Sequence, residues 1–179
     1  MTALTIKFDD KTLRQALKEA PKLAMRSAVY AVNRTAQQAQ TAGVRRLSAA
    51  TRIPVRVIRS RTRLVRANFR TLSARLVALT AGVPIDTLTT RGLKKGGISA
   101  AGQRYPHAFR ATMRNGKELI MERRVTGGQR APRLPIDRVK IPLDPEATSI
   151  FTQEVIRLTR TVMPALFERD FAFRLQRGR

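Results

Sequence analysis

The chain has 179 residues, of which 42% are hydrophobic, enough for one domain with a core of its own. Its 36 basic residues outnumber its 12 acidic ones, so the formal net charge is +24, and most of the basic residues are arginine. The lack of cysteine excludes disulfides, thiolate metal sites and cysteine nucleophiles, and a single histidine excludes a multi-histidine metal site. No apolar run approaches the roughly 20 residues of a membrane span, so we expect no membrane partner.

The positive charge is concentrated in one part of the chain. Between Ala20 and Ile85 there are thirteen basic residues and no acidic residue. Such a field attracts nucleic acid, an acidic protein or an anionic membrane surface. Arginine also binds phosphate and carboxylate groups through paired hydrogen bonds, which favours nucleic acid or an acidic protein.

The first quarter of the chain has one strand pattern and then helical patterns. Apolar and polar residues alternate from Leu4 to Asp9, which predicts a short strand, and KTLRQALKEA then predicts a helix. From Pro21 to about Ala50 small and apolar residues recur every three or four positions. This predicts a helix about 45 Å long, at 1.5 Å per residue. Its predicted buried stripe is Met25, Ala28, Val32, Ala36, Ala39, Gly43, Leu47 and Ala50.

Another helix is predicted from Pro54, and it carries a row of arginines at alternating steps of four and three residues. On a helix this spacing would place Arg56 to Arg66 on one face, and no glutamate is interleaved to neutralise them. A row of charges is often only a solvated helix face. Here we predict contact with nucleic-acid phosphates or with an acidic partner. The predicted contact residues in this row are Arg52, Arg56, Arg59, Arg63 and Arg66.

The middle of the chain predicts strands separated by a glycine-rich segment. TLSARLVAL alternates as a strand does, whereas TRGLKKGGISAAGQR combines glycine and serine with basic residues. We predict a mobile basic loop at about residues 89–105, with no order that matches a phosphate-binding P-loop. Its candidate contacts with nucleic acid or an acidic partner are Arg91, Lys94, Lys95 and Arg104.

Two further patterns predict antiparallel strands. Asn115-Gly116 lies between two alternating runs, which predicts a hairpin with a type I′ turn. In LPIDRVKIPL, from Leu134 to Leu143, apolar residues alternate with charged ones, and Pro142 predicts an edge strand or its end. An exposed edge has to be covered or paired. The pattern alone leaves open what covers this edge.

The last element is a predicted helix at about residues 145–177, in which Pro164 makes a bend or a break. The order of elements predicts an α+β fold in which long N-terminal helices and a C-terminal helix pack on a small antiparallel sheet. We expect residues 1–179 to form a single domain. No nucleophile motif or metal-binding spacing is present, so we predict neither enzymatic activity nor a cofactor.

Three stretches in this order resemble a known family. They are SAVYAVNRTAQQAQTAGVRRLSAATRIPVRVIRSRTRL, PHAFRATMRNGKELIMERRV and LPIDRVKIPL. Together they are similar to the bacteriophage minor tail protein Z family, known from lambda-type tails, with its A-x-N-R helix, A-F…NG…R hairpin and P-I-D-x-V-K-I-P strand. At the matching positions Arg34 and Asp137 are expected to make structural contacts.

The resemblance implies a structural virion protein that completes the tail at its head-proximal end, the neck–tail junction. It implies a homo-oligomeric ring, expected to be a hexamer, around the channel for the genomic DNA. In such a ring the edge strand is expected to contact the next subunit through Arg138, Val139, Lys140 and Ile141. Its partners would be tail terminator or neck proteins and tail tube or tape-measure proteins. It would be located in the host cytoplasm during assembly and in the virion afterwards. The alternative is a non-virion protein that binds nucleic acid independently of sequence. It is weakened by the 5% aromatic content, because single-strand binders stack bases on aromatic rings.

Overall fold

Helices and small antiparallel sheets surround one buried cluster of apolar side chains, which confirms the predicted α+β class. The computed structural model describes residues 2–7, 11–94, 96–123, 125–126, 129–130 and 136–177. Lys95, predicted as a contact residue, lies outside the described residues, as do residues 8–9 of the predicted first strand and Leu134 and Pro135 of LPIDRVKIPL.

The N-terminal part consists of a strand β1 (Thr2–Lys7), a helix α1 (Lys11–Glu19) and a long helix α2 (Pro21–Thr51). Pro21 occupies the first turn of α2, where its missing N–H leaves no helical hydrogen bond unmade. The predicted long helix is thereby confirmed. Its buried side chains are Ala24, Ser27, Ala28, Ala31, Val32, Thr35, Ala36, Ala39, Gly43, Val44 and Leu47. Of the predicted stripe, Met25 is only half-buried and Ala50 is exposed, because nothing covers the last turn on that side.

The predicted arginine-bearing helix is wrong beyond its first two turns. The helix α3 (Val55–Ser60) ends after six residues, and the chain enters strand β2 (Thr62–Val65) at once. Strand β2 pairs antiparallel with a third strand, β3 (Ser73–Ala78). This pairing makes the segment a strand, although its arginines keep the spacing of a helix. Of the five predicted contact arginines in this row, only Arg56 and Arg59 therefore lie on α3.

The first sheet has the strand order β1-β3-β2, and only its inner face is covered. Pairing of Leu4 with Leu76 and of Ile6 with Ala74 directs these apolar side chains inward, where Ile6, Ala74 and Leu76 are almost fully buried. On β2 and β3, the residues at the alternate positions have their side chains on the other face of the sheet, away from the helices.

The segment at about residues 89–105 was predicted to be a loop without secondary structure, and this prediction is wrong. After strand β4 (Val83–Pro84) and a 3₁₀ turn at Ile85–Thr87, the chain forms β5 (Thr90–Gly92), β6 (Ile98–Ala100) and β7 (Gln103–Tyr105). These three strands make an antiparallel sheet. Ile98 and Ala100 are 4% and 2% exposed, so two apolar residues suffice to join this segment to the core.

The predicted hairpin is present, but its turn is of a different type. Strand β8 (Ala108–Thr112) pairs with β9 (Glu118–Arg123) in the register that places Phe109 opposite Met121. The Gly116 N–H donates to the Met113 carbonyl at 2.9 Å, and of the described residues in this turn only Gly116 has a positive φ, +75°. A type I′ turn needs two such residues, so this is a type I turn followed by glycine. The two-residue turn with positive φ at both positions lies instead between β6 and β7, at Ala101 and Gly102.

LPIDRVKIPL forms two short strands rather than one. After β10 (Val125–Thr126) and β11 (Gln129–Arg130), strand β12 (Ile136–Arg138) pairs with β9, and β13 (Lys140–Ile141) pairs with β4. Between them the Val139 N–H donates to the Ile120 carbonyl at 3.0 Å. This segment therefore links two sheets of the same chain.

The C-terminal helix is two helices, α4 (Glu146–Thr161) and α5 (Met163–Arg177). The break falls at Val162, just before Pro164, because a proline interior to one helix would remove a hydrogen bond. Helices α4 and α5 both pack on α2, and α4 also contacts β1, so α2 lies between the first sheet and the C-terminal helices.

Candidate interaction surfaces

The long helix α2 holds the edge strand of the first sheet through two amide side chains. Asn33 donates from Nδ2 to the Ala67 carbonyl at 3.0 Å, and its Oδ1 accepts the Ala67 N–H at 2.8 Å. Two helical turns later, Gln40 donates to the Thr62 hydroxyl oxygen at 3.0 Å. Thr62 and Ala67 bracket β2, so α2 fixes this edge strand at both ends.

The turn after β2 is equally well fixed and presents an aromatic ring. The Asn68 side-chain oxygen accepts hydrogen bonds from the N–H groups of Arg70 and Thr71, at 2.9 and 2.7 Å. Such a bonded asparagine defines the backbone of the turn. Phe69 at its tip is 60% exposed and borders a shallow depression beside Met25.

The outer face of the first sheet forms a groove of about 510 Å³, here called the arginine groove. Across β2 and β3, Arg63 lies opposite Val77 and Val65 lies opposite Arg75, so arginine and valine alternate in both directions. Its main lining residues are Arg61, Arg63, Arg75, Val65, Val77 and Leu79. The groove is open to solvent, because Val65 and Leu79 are 47% and 43% exposed.

The arginines of this groove have no carboxylate partner among the described residues. Ion pairs seen between described residues lie elsewhere, for example those of Arg46 and Arg157 with Glu154, Arg110 with Glu118, Arg138 with Asp86 and Arg174 with Asp170. Arg61 is positioned by a hydrogen bond from its guanidinium to the Ala81 carbonyl at 2.7 Å. The groove is therefore an electropositive surface with ordered backbone and an apolar floor.

The predicted contact arginines are divided between several surfaces. Arg56 and Arg59 are exposed on α3, Arg63 belongs to the arginine groove, and Arg66 is exposed where β2 ends. Arg52 ends α2 in the left-handed conformation, with φ of +56°.

A second basic surface surrounds the small sheet β5-β6-β7. Arg91, Lys94 and Arg104 are exposed there. A Cβ added at Gly102 would lie 2.6 Å from a guanidinium nitrogen of Arg52, so Arg52 packs against the turn between β6 and β7. The structure thus brings Arg52 to this sheet, although the sequence suggested that it belonged with Arg56 and Arg59. We call Arg52, Arg91, Lys94 and Arg104 the basic turn surface.

Three of the four residues predicted at a subunit interface make contacts within the chain instead. Val139 and Ile141 are 6% and 3% exposed, inside the core. Arg138 donates two hydrogen bonds to Asp86, at 2.9 and 2.5 Å, and these bonds lower the pKa of that carboxyl below its ordinary 3.8. Lys140 is exposed. The predicted outward face of this strand is reduced to Lys140 and to the free edge of β12.

A buried carboxylate joins α2 to α4. Glu154 is 3% exposed and accepts hydrogen bonds from Arg46 at 2.6 Å and from Arg157 at 2.7 Å. Burial alone would raise the pKa of Glu154, but the hydrogen bonds and charges of the two arginines outweigh it and leave the pKa below its ordinary 4.5. Glu154 therefore serves the packing of α4 on α2.

Sequence reasoning missed Asn33, Arg61 and Arg75. Asn33 was recognised only as part of an A-x-N-R pattern, and nothing in its helical position indicates a partner on β2. Arg61 and Arg75 do not follow the three- and four-residue steps that drew attention to the other arginines. Alternation in SARLVA was the available signal, because it places Arg75 on the face opposite Leu76.

Neither a metal centre nor a membrane span emerges from the described parts of the chain. No three of their His, Asp or Glu residues are grouped so as to hold a metal ion. No described helix is both long enough and apolar enough to cross a membrane.

The model of the family described as prophage minor tail protein Z matches residues 10–177. The chain belongs to that family. A tail completion protein of Escherichia phage N15 is 30% identical over 149 residues, which cover 77% of this chain and 78% of the relative. Tail completion protein Z of Escherichia phage lambda is 28% identical over 176 residues, covering 86% and 90%. No solved structure gives a significant match.

Membership of the minor tail protein Z family confirms the resemblance found in the sequence and supports a structural role associated with a phage tail. Two of the stretches that carried the resemblance form well-defined parts of this fold. The A-x-N-R helix supplies Asn33, which holds β2, and the P-I-D strand supplies the segment that links two sheets.

Proposed function

We propose that this protein is a structural virion component that completes the tail of a tailed bacteriophage at its head-proximal end, where neck and tail meet. Copies of the chain form a ring, a hexamer, around the channel for the genomic DNA. The family match over residues 10–177 and the two relatives described as tail completion proteins support the role in the tail. The protein assembles in the host cytoplasm and has neither a catalytic role nor a cofactor.

The observation that carries this proposal is the pairing of family membership with a basic segment whose arginines, apart from Arg46, show no carboxylate partner among the described residues. Thirteen basic residues between Ala20 and Ile85 meet no acidic residue of the same segment. Copies with a net charge of +24 repel one another, so a ring of them requires anions close by. DNA phosphates inside the channel and acidic side chains of neighbouring tail proteins both meet that requirement.

The shape of the chain leaves strand edges for contacts between copies. Strand β12 is an edge strand in the order β12-β9-β8, and β2 and β1 are the edges of the first sheet. The edge of β2 and the edge of β12 are different surfaces, so a contact between β2 of one copy and β12 of the next would be head-to-tail. Head-to-tail contacts close into a ring when the rotation that relates successive copies allows it. The partners above and below the ring are tail terminator or neck proteins and tail tube or tape-measure proteins.

The test is a phage in which a stop codon interrupts the gene for this protein. We expect its lysates to contain tails of normal length but few infectious particles, and we expect protein supplied from a plasmid to restore infectivity. Immunoelectron microscopy of complemented particles should place the protein at the head-proximal end of the tail.

Two outcomes would contradict the proposal. Normal infectivity of the stop-codon phage would show that tails do not need this protein. Its absence from purified complemented virions, together with tight binding to duplex DNA by the isolated monomer, would support the alternative of a free nucleic-acid-binding protein. A plasmid carrying the same stop codon is the matched control for complementation.

A further inference from the structure

We propose that the arginine groove binds an acidic, partly apolar polypeptide segment of a neighbouring tail protein, and that DNA contacts fall on the other basic surfaces. The inference rests on the proposed function, because it names the class of partner that one face of the chain takes within the tail.

The groove has the chemistry of a protein-binding site rather than of a phosphate-binding site alone. Its floor includes Val65, Val77 and Leu79, and the first and last of these are 47% and 43% exposed. Phosphate groups would neutralise the arginines but would leave these apolar side chains in water. A polypeptide with carboxylates and apolar side chains would pair with the arginines and also cover the apolar side chains of the groove, and burying apolar area stabilises a complex.

The alternation within the groove sets the pattern of the partner. Arg63 lies opposite Val77, and Val65 lies opposite Arg75, so cationic and apolar positions alternate across the two strands. An extended segment presents successive side chains to opposite sides, and its neighbours on one side are two residues apart. A segment in which carboxylates and apolar residues share one side would meet both kinds of position.

The basic turn surface differs from the groove in one decisive respect. Large apolar side chains with high exposure in the described chain include Val65 and Leu79 in the groove, but none on β5, β6 or β7. Arg91, Lys94 and Arg104 are exposed around backbone turns. Contacts of that purely polar and cationic kind suit a phosphate backbone.

A second copy of this chain is a poor occupant of the groove. Each copy carries +24, and the groove itself adds three arginines to the contact. Like charges across an interface suppress association. An acidic partner instead gains from the same charges, which increase the rate of encounter and fix the orientation of binding.

The experiment uses tails purified from the stop-codon phage, to which purified full-length protein is added, and co-sedimentation measures its binding. One variant removes the apolar floor, Val65→Ser with Leu79→Ser, and another removes charge, Arg63→Ala with Arg75→Ala. The control, Arg160→Ala with Arg169→Ala, removes equal charge from exposed positions on α4 and α5. Circular dichroism melting verifies that each variant is folded, and a random-sequence DNA duplex serves as the second ligand.

We expect both groove variants to bind tails about tenfold more weakly, as truncation of central contact residues does, and the control to bind as the wild type does. We expect the serine variant to bind duplex DNA with unchanged affinity. The inference is overturned if the serine variant binds tails normally, if DNA affinity falls in parallel with tail binding, or if the groove variants abolish self-association of the protein without tails. If wild-type protein fails to bind these tails at all, the proposed function itself is wrong.

Discussion

At the scale of single residues, the fold depends on side chains whose role is visible only in three dimensions. Asn33 makes two hydrogen bonds to Ala67, which is 6% exposed, and thereby satisfies a backbone donor and a backbone acceptor outside any ladder. Leaving buried polar groups without partners costs more than a typical hydrogen bond contributes. Asn33 is therefore a structural residue of the A-x-N-R pattern.

Replacing Asn33 with alanine should lower the free energy of unfolding by about 1–3 kcal/mol, because both polar groups of Ala67 lose their partner. Chemical denaturation followed by circular dichroism measures the change. Gln37→Ala, at an exposed position one turn later on α2, should change stability by no more than about 0.5 kcal/mol. Equal effects of the two substitutions would show that Asn33 does not hold β2.

Gly43 is the position on α2 against which the ring of Phe151 on α4 packs directly. A Cβ added there would lie 2.5 Å from Cε1 of Phe151, whose ring is 1% exposed and cannot move aside. Alanine is favoured over glycine in a helix by about 0.5–1 kcal/mol, but overpacking a core costs about 1–3 kcal/mol, so we expect Gly43→Ala to destabilise the protein. Thermal melting tests whether the melting temperature of Gly43→Ala falls below that of the wild type.

The double variant Gly43→Ala with Phe151→Leu provides the check on this reasoning. If the clash with the ring is the cause, the combined loss of stability should be smaller than the sum of the two separate losses. Gly92→Ala is the control, since no atom lies within 4 Å of a Cβ at that position. Additive losses in the double variant would refute the clash.

At the scale of elements, the contact between α2 and α4 should make stability depend on pH. The pKa of Glu154 is lowered below 4.5 by its two arginines, so the folded chain binds fewer protons than the unfolded chain near that pH. The stabilisation is then complete above pH 4.5 and is lost as the pH falls through the lowered pKa of the folded state.

Glu154→Gln should therefore reduce the melting temperature at neutral pH and make it less sensitive to acidification than in the wild type. Melting curves recorded from neutral to acidic pH test this expectation. Glu118→Gln is the control, because its ion pair with Arg110 is exposed and contributes little. A Glu154→Gln variant with the pH dependence of the wild type would contradict the role of this carboxylate.

The elements differ in how far the sequence alone predicted them. Helix α2 was predicted closely, because Pro21 marks its start and small residues then recur every three or four positions along most of its length. Helix α3 was predicted too long, because Arg56, Arg59 and Arg63 keep a helical spacing even where the backbone becomes a strand. That outcome was decided by pairing with β3, a contact between distant parts of the chain.

Short strands and the candidate site were the least predictable features. Strands β5, β6 and β7 have three residues each, too few for an alternating pattern to stand out from a glycine-rich background. The arginine groove depends on the register between β2 and β3, which places Arg63 beside Val77. The sequence could predict that this region is basic, but only the register shows which arginines surround apolar residues.

At the scale of the whole molecule, charge is divided between surfaces of different chemistry. The arginine groove combines guanidinium groups with exposed apolar side chains, whereas the strands of the basic turn surface carry no large apolar side chain of high exposure. Carboxylates such as Glu154 and Asp86 are used for internal ion pairs and do not neutralise either surface. A protein that fits between DNA and other tail components would need this division.

The basic turn surface should account for part of the salt dependence of DNA binding. Each phosphate contact releases counterions, and the slope of log affinity against log salt falls by about 0.9 for each contact removed. Replacing Arg91, Lys94 and Arg104 with alanine should therefore reduce the slope by about 2–3 if all three contact phosphates. Fluorescence anisotropy with a random-sequence duplex across a salt series measures both slopes.

A matched variant separates this local effect from the loss of net charge. Lys18, Arg160 and Arg169 are exposed on the helices α1, α4 and α5, and their replacement with alanine removes the same three charges from the helical side of the molecule. Because phosphate contacts are local, this variant should keep the wild-type slope while its affinity falls only slightly. If the two triple variants had equal slopes, DNA would be responding to total charge, and no particular surface of the chain would face it.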